Sequence, residues 1–127
     1  MGSVGAASPA ILLGDFNDVP GSPTHQIIAG AGFTDTWAAL RPGVRGFTCC
    51  EIADLSNQVA ALVQRIDYVF VRGIAGPHGN LLGQVTIVGD QPGDRIAGPF
   101  YRLWPSDHAG VVADIVVPHG TGMAAAR

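Results

Sequence analysis

The chain has 127 residues, 47% apolar and 13% charged, with a formal net charge of −3. That is the length of one domain, with enough apolar material for a packed core, which excludes general disorder. No run approaches the roughly 20 apolar residues of a membrane span, and seven Arg without a Lys in an acidic chain give no broad footprint for nucleic acid.

The opening "MGSVGAASPA" has neither a charged nor an apolar region of the kind a signal peptide needs. The default expectation is therefore the cytoplasm, with residues 1–8 and 119–127 as flexible ends and 9–118 as the folded domain. "PAILLGDF" predicts a fully buried strand, and "VPGSP" a turn. Ser22 is placed to cap a short helix with Pro23 at its first position, over "PTHQIIAGAG". "GFTDTWAALRPG" predicts a helical turn with Trp37 and Leu40 buried, and "GFTCCEI" a short strand. "ADLSNQVAAL" is a loop. "QRIDYVFVRG" is a strand rich in β-branched and aromatic residues, and "GQVTIVGD" is another. "QPGDRIAGPFYRLWPSD" reads as a long loop, and "HAGVVADIVVP" as the last strand. About five strands and one or two helices imply a sheet covered by helix on one side, α/β or α+β.

Cys49 and Cys50 are neighbours. Adjacent cysteines sit too close for an unstrained disulfide. A strand would place one thiol inside and one outside; a redox or metal role is the alternative.

Polar residues gather at strand ends. Asp15 and Asn17 follow the first strand, and their i, i+2 spacing points both side chains one way if the backbone stays extended. Asp67 lies inside "RIDYVFV", where a carboxylate needs a partner. Asp107 and His108 precede the last strand. If the first and last strands run antiparallel in one sheet, these groups share an edge and Asp67 can reach His108. Such a set suits phosphate hydrolysis: carboxylates hold a hard cation such as Mg²⁺, and an imidazole fixed by a carboxylate stabilises developing charge. Each feature also has a plainer reading. "GDFND" can be an Asx-turn, Asp67 can pair with Arg65 or Arg72, and Asp107 can cap a turn.

"ILLGDFND", "RIDYVFV" and "WPSDHAGVVADI" together resemble, in order, three C-terminal motifs of the endonuclease/exonuclease/phosphatase superfamily, the deoxyribonuclease-I-like hydrolases. The resemblance spans Leu12 to Ile115. It implies half of a four-layer α/β/β/α sandwich, with one mixed or mostly antiparallel sheet and one or two covering helices. It implies that Asp15 orients or deprotonates the attacking water, that Asn17 and His108 bind the phosphoryl group, and that Asp67 orients His108. Asp107, with Asp15, would serve a Mg²⁺ or Mn²⁺ site. The implied activity is metal-dependent phosphoester hydrolysis of nucleic acid, a phospholipid or a small phosphodiester. The departure is that the first half of such domains, which supplies an early Asn and a metal-binding Glu, has no match here. The single Glu, Glu51, lies in no such motif. The sheet's inner face would then be left apolar and uncovered, to be met by the missing half, in cis or in trans, or by self-association. The alternative is a non-catalytic half-domain acting as a dimerising or binding module.

Overall fold

The structure, a computed structural model, describes residues 8–118. The expectation of flexible ends therefore falls, apart from Ser8, outside the described residues. The fold is α/β, mostly antiparallel sheet with two short helices.

Strand β1, Ala10–Asp15, pairs antiparallel with β3, Asp67–Arg72, from Ala10 opposite Arg72 to Asp15 opposite Asp67. The two-residue strand β2, Thr34–Asp35, lies on the other side of β3. A second antiparallel pair joins β4, Gly83–Val88, to β7, Gly110–Ile115. The region expected as a long loop holds a hairpin, β5 (Ile96–Ala97) and β6 (Arg102–Leu103), closed by Gly98 N–H donating to the Tyr101 carbonyl at 2.9 Å. The strand expected over "GFTCCEI" narrows to Cys49, which bridges both Gln64 and His108. The amides of Thr48 and Cys49 both donate to the Gln64 carbonyl, so no longer ladder forms.

Helix α1, Pro23–Gly30, begins as its sequence dictates: the Ser22 hydroxyl accepts from His25 N–H at 3.3 Å, with Pro23 in the first turn. Helix α2, Thr36–Leu40, is capped by Asp35, which accepts from the amides of Trp37 and Ala38. Trp37 is buried and Leu40 half-buried. The Trp37 indole donates to the Val44 carbonyl at 2.7 Å. Gly46 lies under that indole at φ 64°, where a Cβ would run into the ring.

Residues directly opposite on antiparallel strands share a face. Leu12, Phe70, Gly14 and Tyr68 therefore face one way, and Ile11, Leu13, Val69 and Asp15 the other. The first face is covered. Tyr68 stacks on Phe70 with ring centroids 4.9 Å apart, Phe16 meets both edge-on, and His25 of α1 leans on them. Helix α2 packs on β3 and β4. The second face is open: Ile11 is 55% exposed and Leu13 67%. This overturns the expectation of a fully buried first strand. The aromatic cover sits on β3, and every residue of β1 from Ile11 to Asp15 stays exposed among the described residues, Leu12 least of the large apolar ones at 36%. Among those residues, too, no helix is long and apolar enough to cross a membrane.

Candidate active site

β1 ends on Asp15, β3 begins on Asp67, and the two lie opposite in the ladder. β7 begins two residues after His108. The first and last strands do not share a sheet as expected: β1 pairs with β3, whereas β7 pairs with β4 in a separate sheet. His108 reaches Asp15 and Asp67 through the bridge of Cys49, which joins Gln64 on one side and His108 on the other. The Asp67 carboxylate accepts from His108 Nδ1 at 2.8 Å. The other ring nitrogen, Nε2, lies 4.0 Å from Asp15 Oδ2. An ionised carboxylate can only accept, so Nδ1 carries the proton and Nε2 is left towards Asp15. Beside Asp15 and Asp67 lies a cleft of about 150 Å³, lined by Leu13, Asp15, Asp67, Val69, Ala109 and Val111 among others.

The Asp67 hydrogen bond raises the His108 pKa above its ordinary 6.5; desolvation opposes the shift, and the charges of Asp67, Asp107 and Asp15 add to it. Asp67 does not take the arginine partners open to it. Arg65 instead pairs with buried Asp35, 2.9 Å from its Oδ2, and Arg72 reaches the Ala31 carbonyl.

The turn after β1 is an Asx-turn: Asp15 Oδ1 accepts the Asn17 amide at 2.8 Å. Asn17 adopts φ 51°, so the backbone is not extended there. The condition for Asp15 and Asn17 to point the same way is therefore not met. The turn occupies Oδ1 and leaves Oδ2 towards His108. Asn17 is exposed. Asp107 is exposed as well, and it caps no turn: Ser106 Oγ takes the His108 amide at 3.1 Å.

Among the described residues, potential ligand atoms of Asp15, Asp67 and His108 lie within 4.8 Å of one another, and so do those of Cys49, Cys50 and His108. Asp107 belongs to neither group. Carboxylate oxygens beside an imidazole suit a hard divalent cation, and the Asp15 oxygen left over by the turn is its most accessible donor. Cys49 is buried and Cys50 exposed, although the strand expected to place them so does not form; their sulfurs touch across a cis peptide bond. Glu51 is buried elsewhere: its Oε2 accepts from the Asn57 side chain and from the Ala61 amide, which ties it to the loop that follows.

Two supports of the site were not foreseen from sequence. Thr48 is fully buried behind Asp67, and the Asp35–Arg65–His25 cluster lies against the Tyr68 ring.

The chain matches the family model described as Endonuclease/Exonuclease/phosphatase family over residues 1–108. No curated protein and no solved structure matches it.

Proposed function

We propose, from the premise that the chain belongs to the Endonuclease/Exonuclease/phosphatase family of phosphoester hydrolases, that Asp15, Asn17, Asp67 and His108 carry metal-dependent hydrolysis of a phosphoester. The observation that carries this is the pair of contacts on one imidazole, Asp67 at 2.8 Å behind it and Asp15 at 4.0 Å in front. A water held between Asp15 and a phosphorus atom gives its proton to Asp15 Oδ2 as its oxygen bonds to phosphorus; the ester P–O bond breaks, and the leaving oxygen departs to solvent, which supplies its proton. The side-chain amide of Asn17 and His108 Nε2 hold the phosphoryl oxygens. As charge grows on those oxygens, His108 meets it with a protonated ring, and Asp67 keeps that ring aimed and charged. Asp15 would hold Mg²⁺ or Mn²⁺ together with ligands from the covering half; Asp107, expected there from the resemblance, lies outside the group of ligand atoms around Asp15. When bound, such an ion withdraws charge from the phosphoryl oxygens. The acidic balance and the absence of Lys favour a small phosphoester over a long nucleic acid.

The exposure of Leu13 and Ile11 beside Asp15 supports a second element of the reading. The described residues act as one half of a domain, and a second layer on this face completes the site. The same exposure favours the rival reading, a half-domain that binds without catalysis.

The test is hydrolysis of bis(p-nitrophenyl) phosphate with Mg²⁺ or Mn²⁺. The isolated chain should be weakly active, and a covering half supplied in cis or in trans should raise turnover. In the active form His108→Ala should cost on the order of 10²-fold or more in kcat, as loss of one transition-state stabiliser does. An active form indifferent to His108→Ala would overturn the assignment. Full activity of the isolated chain would overturn the half-domain element alone.

A further inference from the structure

The pair formed by Asp67 and His108 joins residues 41 positions apart. Neither carboxylate nor imidazole holds the other in place unaided, because each rides on its own segment. Between those segments runs a third, and its contacts converge on Thr48. The Thr48 side chain is fully buried. Its hydroxyl oxygen accepts two backbone amides, those of Ile66 and Asp67, each at 3.2 Å. Its own amide donates to the Gln64 carbonyl at 2.7 Å, and its carbonyl accepts from Ala109 N–H at 2.8 Å. The next residue, Cys49, bridges Gln64 on one side and His108 on the other. One residue thus grips the backbone of Asp67 itself and of the residue after His108.

The chemistry of the hydroxyl matters here. Ile66 and Asp67 stand where β3 begins, and their amides point at Thr48 rather than at a full neighbouring strand. Without an acceptor both amides lose that partner, the Ile66 one in a buried place, a cost the chain relieves by moving backbone. The backbone that moves is that of Asp67, and the carboxylate moves with it. Since the Asp67 bond selects which ring nitrogen of His108 carries the proton, a shift there changes the imidazole as well.

We infer that Thr48 is the positioning residue of the Asp67–His108 pair: its hydroxyl fixes the Asp67 backbone and its carbonyl fixes the segment of His108, so that Nδ1–H stays on Asp67 and Nε2 is left to carry the proton that meets the phosphoryl oxygens. The inference deepens the hydrolase reading and rests on it for its kinetic consequence, but the state of the ring can be read without turnover.

The experiment uses Thr48→Val, which keeps the shape and removes the acceptor, Thr48→Ala, which removes the acceptor without crowding, and Thr48→Ser, which restores it. The ring nitrogens of His108 are read by NMR through the carbon-bound ring protons, on the alkaline side of the histidine's titration. The full chain and Thr48→Ser should show Nδ1–H; Thr48→Val and Thr48→Ala should revert to the mixture of a free imidazole. In the active form, Thr48→Val should lower kcat by about 10- to 100-fold with KM little changed, and Thr48→Ser should recover it. A folded Thr48→Val or Thr48→Ala that keeps the Nδ1–H pattern overturns the inference, as does a native ring found as Nε2–H. Failure of both to fold would make Thr48 a structural residue and reject the positioning role. If the ring follows the acceptor while His108→Ala leaves hydrolysis intact, the hydrolase assignment fails and the positioning geometry stands.

Discussion

At the scale of single residues, the ionisation of His108 has a direction that can be tested. Its folded pKa lies above the ordinary 6.5, chiefly because Asp67 accepts its hydrogen bond. A raised value means that the folded state binds the proton more tightly than the unfolded chain does. The resulting stabilisation is fully present below 6.5 and is lost as pH rises through the folded value. Asp67→Asn removes that acceptor charge. It should lower the His108 midpoint towards 6.5 in an NMR titration, and its destabilisation in urea should be larger in mild acid than at alkaline pH. An unchanged midpoint would mean that the Asp67 contact does not govern the ring. Tyr68 behaves in the opposite environment. Burial pushes its phenol up to about 12, and its oxygen lies 2.9 Å from the Asp18 carbonyl and 3.0 Å from that of Arg65. It should therefore show no phenolate absorbance until strongly alkaline pH.

At the scale of elements, α2 and β3 are joined by a buried polar cluster. Asp35 caps α2, pairs with Arg65 at 2.9 Å, and accepts from His25 Nε2 at 3.0 Å. Arg65 lies over the Tyr68 ring, 4.9 Å from its centre. Burial works to raise the Asp35 pKa, but hydrogen bonds from Arg65 and His25 outweigh it and hold the carboxyl below its ordinary 3.8. Its contribution is present above that value and lost as pH falls through the folded one. Asp35→Ala strands a buried guanidinium and should cost about 3–5 kcal/mol in urea unfolding; a cost under about 1 kcal/mol would show that solvent reaches Arg65. None of this cluster was legible in the sequence, because His25, Asp35 and Arg65 carry no local pattern and meet only through the pairing of β2 with β3. The longer elements were legible for the opposite reason. β3, β4, β7 and α1 follow from β-branched runs or from a Ser-Pro start, all of them local signals. The short strands β2, β5 and β6 have two residues each, too few for a period to show. At the site, the meeting of Asp15, Asp67 and His108 was legible from strand ends, whereas the turn that separates Asn17 from Asp15 depends on a single φ angle.

At the scale of the whole molecule, the two faces of the β1–β3 sheet differ. One carries the packed aromatic rings, and the other carries a groove of about 490 Å³ lined by Ile11, Leu13, Val69, Ile74, Val111, Ile115 and neighbours. An open apolar surface of this kind binds hydrophobic dyes and promotes association. The double variant Ile11→Thr, Leu13→Thr should reduce dye binding and shift sedimentation towards monomer. Stability should change by no more than about 0.5 kcal/mol per site, since both side chains are exposed. Equal dye binding in the variant would place the sticky surface elsewhere. Leu13, Val69 and Val111 line this groove and the cleft of Asp15 and Asp67 alike. A layer that settles on the groove therefore also takes water from the carboxylates and the imidazole. Linkage is reciprocal: if covering the groove changes the proton affinity of His108 by some factor, protonating His108 changes the affinity of the cover by the same factor. The strength of association, followed across the histidine's titration, becomes a remote meter of the reacting centre that needs no substrate at all.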